Sequence, residues 1–124
     1  MHRIHSLKEL HVWKVARNLV EEVYNQSDNI KNRQFYLLLL KTSESVFCSI
    51  TEGCILNTLE HFKNSLAIAA VSCKEVCDLL YTARCCKYLD EKGIGKVMLC
   101  CKEVLVEISI MKCKIGARIR EGNN

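Results

Sequence analysis

The sequence contains no proline and only five glycines in 124 residues. A fold of many short strands needs turn residues at close intervals, so this scarcity argues against a sandwich or barrel and for a few long helices. Long apolar runs are also missing. The longest strong one covers 37–40, far short of a membrane span. The opening residues Met1-His2-Arg3-Ile4-His5 lack the apolar segment of a secretory signal, so a cytoplasmic protein with no membrane partner is expected.

What is present suits one globular domain. Apolar residues make up 49% and charged residues 26%, a balance that supports a single buried core. The net charge of +4 comes from 18 basic and 14 acidic residues. That excess permits contact with an anionic partner without demanding one. Cysteine is abundant, with nine residues. The odd count and the missing export signal speak against a disulfide framework, so the thiols read as reduced, small apolar side chains.

Four helices are predicted, over 7–26, 32–53, 58–89 and 91–118. Ser6-Leu7-Lys8-Glu9 reads as a capping box, followed by Leu10, Trp13, Arg17, Val20 and Tyr24 at spacings of three and four. Trp13 is expected to anchor the core. The polar run at 25–29 ends this helix. Phe35, Leu39, Thr42, Val46, Ile50 and Gly53 mark the second helix. Its apolar residues at 37–40 go almost all round, which implies a second buried side and makes Leu37, Leu38 and Leu40 a candidate oligomer interface.

Asn57-Thr58-Leu59-Glu60 reads as a capping box for the third helix, whose stripe runs through Phe62, Leu66, Ala69, Cys73, Val76, Leu80 and Ala83. Asp90 is the expected N-cap of the fourth, with Ile94, Val97, Cys101, Val104, Ile108, Met111 and Ile115 inward. Cys85-Cys86 and Cys100-Cys101 are each expected to put one thiol inward and one beside it. Short connections favour an all-α, antiparallel up-down-up-down four-helix bundle.

Ser49-Ile50-Thr51-Glu52-Gly53 closes the second helix in this reading. Gly53 is expected just past the end, at the position that takes positive φ. Glu52 then faces the negative end of the helix dipole, which costs about 0.3–1 kcal/mol when exposed. A cationic partner is predicted for it, such as Arg118, Lys114 or a residue of a neighbouring subunit.

No catalytic or metal constellation is apparent. Cys73 and Cys77 stand one turn apart, but Cys73 lies on the apolar stripe and there is no second ligand pair. Cys54 and His61 are close in sequence but lack an orienting third group. Neither an enzyme nor a cofactor or small-molecule substrate is expected. The clearer pattern is charge. In an up-down-up-down bundle the start of the first helix, the turn between second and third, and the end of the fourth share one pole. Arg3, Lys8, Lys14 and Lys63 gather there with Lys112, Lys114, Arg118 and Arg120, besides His2, His5 and His11. These cations are the candidate nucleic-acid contacts. Solvation of helix ends is the competing role, since cations at the last turn of the fourth helix suit its dipole.

Several segments together resemble a known family. Leu10-His11-Val12-Trp13-Lys14-Val15-Ala16, Val23-Tyr24, Ser49-Ile50-Thr51-Glu52-Gly53, then Phe62, Leu66-Ala67-Ile68-Ala69, Ser72, Glu75 and Tyr88-Leu89 are similar to the ordered motifs of the four helix bundle family of 23S rRNA intervening-sequence proteins. Trp13, Tyr24, Glu52, Gly53 and Glu75 carry its motif positions. The chain departs from the pattern at Leu40 and Lys41, where the family has two arginines, at Phe47 and Ser49, at Leu56, and at Cys77 in place of an acidic residue. The resemblance implies a homopentamer without enzymatic activity, and a relation to rRNA or other nucleic acid that would make it ribosome-associated. The alternative is a protein-interaction scaffold that binds no nucleic acid.

Overall fold

The computed structural model describes residues 10–55 and 58–122. Four helices run in order: α1 (His11–Asn25), α2 (Arg33–Ile55), α3 (Leu59–Cys85) and α4 (Glu91–Arg120). Each packs on its sequence neighbour and α4 closes onto α1, which gives the antiparallel up-down-up-down bundle. The core lies along the shared axis. Leu19, Leu39, Ile50, Leu66, Leu80, Ile94 and Ile108 are almost fully buried, with Cys73 and Cys101 between them. The inward residues follow the three-and-four spacing of the sequence because 3.6 residues per turn keep them on one face. Buried Ser43 donates to Leu39 O at 2.9 Å and so leaves no unmet polar group.

Caps set the boundaries. Asn32 Oδ1 accepts from Phe35 N at 2.9 Å, Thr58 Oγ1 from His61 N at 3.1 Å, and Asp90 Oδ1 from Gly93 N at 2.8 Å. Each satisfies an orphan N–H of a first turn. Leu10 is the N-cap of α1 and has no side-chain cap. The expected capping box at residues 6–9 lies outside the described residues, as does Asn57. Thr58, rather than Asn57, caps α3.

Two helix ends differ from the sequence expectation. α3 stops at Cys85, not Leu89, because Lys87 adopts φ 58°. Tyr88 N then donates to Ala83 O and Lys87 N to Arg84 O, at 2.8 and 3.2 Å. This six-to-one, five-to-two pair is a Schellman stop built on a lysine instead of a glycine. Cys85 and Cys86 are therefore both exposed, contrary to the expectation of one inside. The stop also ties two loops together: Lys31 N donates to Tyr88 O at 2.9 Å, and the Phe35 and Tyr88 rings lie 5.1 Å apart.

The second difference is at Gly53. α2 continues past it to Ile55, and Gly53 is buried in ordinary helical backbone. A Cβ there would stand 2.7 Å from Ser65 Cβ and 2.9 Å from Phe62 Cδ1. The glycine is needed for close approach of α2 to α3, not for chain reversal. Gly93 serves similarly, since a Cβ would meet Leu89 Cδ1 at 2.7 Å and Gln26 Oε1 at 2.9 Å.

Trp13 is half-buried at the α1–α2 seam rather than an anchor of the core. Its Nε1 donates to Thr51 Oγ1 at 3.1 Å, its ring lies 5.4 Å from Phe47, and Arg17 sits 5.3 Å over it. The indole N–H must find a partner when partly buried, and the seam offers one.

Candidate nucleic-acid interface

The start of α1, the start of α3 and the end of α4 meet at one end of the bundle. Leu10, Leu59, Phe62, Met111 and Ile115 line an apolar pocket of about 370 Å³ there, and Lys114 and Arg118 complete its lining. His11 Nε2 stands 3.8 Å from Glu107 Oε2, which joins α1 to α4 at this level. Cys73 Sγ donates to Cys101 O at 3.5 Å and fixes the register of α3 on α4. Ten residues before Cys73 is Lys63, and eleven after Cys101 is Lys112. Antiparallel helices bring these two lysines to the same level.

The fold thus brings Lys14, Lys63, Lys112, Lys114, Arg118 and Arg120 to one pole from three helices. All but the half-buried Lys112 are exposed. Arg3, Lys8, His2 and His5 lie outside the described residues. Glu52, Glu60, Glu107 and Glu121 stand at the same pole, so its positive excess is smaller than the cations alone suggest. Arg118 and Arg120 belong to the last turn of α4, where the dipole favours cations.

Contrary to expectation, Glu52 does not meet Arg118 or Lys114 within the subunit. It is exposed, and among the described residues it has no hydrogen-bond or ion-pair partner. The reason is local: α2 runs three residues further, which leaves Glu52 on the outward side of a continuing helix. Tyr24 and Glu75 are exposed too. Of the motif residues, Gly53 and Trp13 are explained by packing, whereas Tyr24, Glu52 and Glu75 point to solvent. Tyr24 borders a cleft of about 540 Å³ between α1 and α2, lined also by Val20, Leu40 and Glu44. Of the candidate interface residues, Leu37 and Leu38 are exposed, and half-buried Leu40 packs against the core.

Burial works against Cys54 as a nucleophile. Burial pushes the Cys54 thiol up to about 11, opposite to the lowering that activates a cysteine, and His61 is exposed. Cys101 is held protonated by its interaction with the Cys73 thiol and by burial. All nine cysteines are free. Among the described residues no three His, Cys, Asp or Glu side chains group to hold a metal ion.

Sequence reasoning missed the outward apolar residues of α3 and α4. Ile68, Val71, Leu99, Val106 and Ile110 are exposed, and their spacings of three, four and seven carry the signal that could have found them.

Fold and pole together define an antiparallel helical bundle with a cation-bearing end supplied by three helices. The family described as 23S rRNA-intervening sequence protein matches residues 8–109, most of the chain, and the chain belongs to that family. Lys112, Lys114, Arg118 and Arg120 lie beyond the matched span. No curated protein matches the chain. Among the described residues, no helix is long and apolar enough to cross a membrane.

Proposed function

We propose that the chain is a non-enzymatic cytoplasmic bundle that assembles as a homo-oligomer, a pentamer by its family resemblance, and contacts structured RNA through the basic pole. The observation that carries the RNA reading is the convergence of exposed Lys14, Lys63, Lys114, Arg118 and Arg120 from three helices at one end. The family's description, which names a 23S rRNA intervening sequence, supports RNA as the polyanion. Phosphate contacts need cations at a surface but no base-reading groups. Repetition around an oligomer would multiply the pole and so strengthen a weak single-subunit contact.

The test is retention of a 23S rRNA hairpin by wild type and by the Arg118→Ala, Arg120→Ala double variant. Retention that drops in the variant supports the reading. Retention equal in both, or absent from both, overturns it. A second reading, a protein-interaction scaffold without RNA, is favoured by exposed Leu37 and Leu38. It predicts self-association or partner binding indifferent to the double variant.

A further inference from the structure

The end of the bundle that gathers the cations also holds the apolar pocket, and the two features meet. Leu10 at the start of α1, Leu59 and Phe62 in the first turn of α3, and Met111 and Ile115 near the end of α4 form its walls. Leu59, Phe62 and Ile115 are buried, whereas Leu10 and Met111 are half-buried. The volume of about 370 Å³ lies within the range of small-molecule sites, roughly 300–1,000 Å³. A dry, enclosed cavity of about 150 Å³ takes a six-carbon ring, so a pocket of this size suits an alkyl chain of about eight to ten carbons.

The polar part of the lining is cationic. Lys114 and Arg118 stand one turn apart on α4 and complete the walls. Among the described residues, no carboxylate and no neutral polar side chain lines the pocket; Glu60 and Glu121 belong to the same pole but not to its lining. Lys114 is exposed and has no ion-pair partner among the described residues. Two of the three helix ends here add to the positive field. α1 and α3 begin at the pocket, and α1 has neither a side-chain cap nor an acidic residue in its first turn. The end of α4 opposes them, and its own two cations offset it.

Charge and shape together select the occupant. A neutral hydrocarbon would leave Lys114 unused, and a small inorganic anion would leave Leu59, Phe62 and Ile115 unused. A chain with an anionic end uses both. The stretch at 1–9 is a poorer match in charge, since Arg3 and Lys8 stand against the single acid Glu9. We infer that the pocket binds a medium-chain fatty-acid anion, with the alkyl chain against Phe62, Met111 and Ile115 and the carboxylate at Lys114 and Arg118. This does not rest on RNA contact at the pole.

Titration calorimetry of the full chain with octanoate, hexanoate and 1-octanol tests it. Octanoate is expected to bind once per chain. Hexanoate lacks two methylenes and should bind about fifteen-fold more weakly. 1-Octanol keeps the chain without the charge and should also bind more weakly than octanoate. Lys114→Ala should weaken octanoate about two- to five-fold, as for a solvent-facing ion pair, and leave 1-octanol unchanged. Leu10→Asp should abolish octanoate binding, because it sets a carboxylate in the wall; aspartate is a favoured N-cap, so circular dichroism should show unchanged helicity. Absence of saturable octanoate binding by wild type overturns the inference, including the case in which residues 1–9 cover the pocket. Binding that survives Leu10→Asp overturns it too, as do 1-octanol binding as tight as that of octanoate and an equal response of the two probes to Lys114→Ala.

Discussion

Replacing Gly53 by alanine separates two accounts of this glycine. If it merely sat in a helix, alanine would stabilise by about 0.5–1 kcal/mol, through lower entropy of the unfolded chain. The structure sets a greater cost against this gain. The new methyl would stand 2.7 Å from Ser65 Cβ and 2.9 Å from Phe62 Cδ1, below any comfortable carbon–carbon separation. Phe62 can rotate in part, but Ser65 Cβ is fixed to α3, so the helices must move apart. Overpacking of this kind costs roughly 1–3 kcal/mol. The net expectation for Gly53→Ala is a loss of about 1–2 kcal/mol, or roughly 3–8 °C in Tm for a domain of this size.

The internal control is Gly95→Ala, because Gly95 lies in α4 with nothing within 4 Å of an added Cβ. That variant should gain about 0.5–1 kcal/mol. Urea unfolding at one fixed protein concentration measures both, with oligomer linkage held constant. Adding Ser65→Gly to Gly53→Ala should cost less than Ser65→Gly alone, since it removes the closest contact, and the cycle measures that coupling. Equal stabilisation by Gly53→Ala and Gly95→Ala would refute the close-approach argument.

Further outcomes follow from other sites. Lys87→Gly should stabilise by about 1 kcal/mol, because the lysine holds φ 58° at the end of α3 and glycine carries no penalty there; a neutral or destabilising effect in urea would count against it. Asp90→Ala should cost about 1 kcal/mol through loss of the cap on Gly93 N, with Asp90→Asn recovering most of it. Alkylation at pH 8 should modify exposed Cys48, Cys85, Cys86 and Cys113 well before Cys54 and Cys100, which burial pushes up to about 11; early labelling of Cys54, read by peptide mass, would contradict its burial. The raised thiols also set a pH dependence. The folded state holds their protons more tightly than the unfolded state, so their contribution is intact below pH 9.0 and is lost as pH rises towards about 11. Urea midpoints that stay level from pH 8 to pH 11 would oppose this.

Much of the bundle was legible because one physical rule generates it. Inward positions repeat every three or four residues, and Ile94, Val97, Cys101, Val104 and Ile108 are buried as that period requires. Local chemistry also read correctly where it is self-contained, as at Asp90. Features that depend on a second element were not legible. A glycine that ends a helix and one that admits a neighbouring helix look alike until Ser65 and Phe62 are seen across the interface. Nothing in the sequence marks Lys87 for a left-handed conformation that usually selects glycine. Trp13 carries an apolar period, yet its N–H draws it to the seam beside Thr51. The basic pole followed from topology, and its extent is trimmed by Glu107, which the fold brings to His11.

The most direct test of the central claim is the salt dependence of RNA binding. The affinity for a 23S rRNA hairpin is measured from 50 to 300 mM salt, for wild type and for Arg118→Ala, Arg120→Ala, and plotted as log K against log salt. Each phosphate contact contributes a slope of about −0.7 to −0.9, so loss of two arginines should make the slope shallower by roughly 1.5. That result is predicted. Identical slopes for the two proteins would contradict RNA contact at the basic pole.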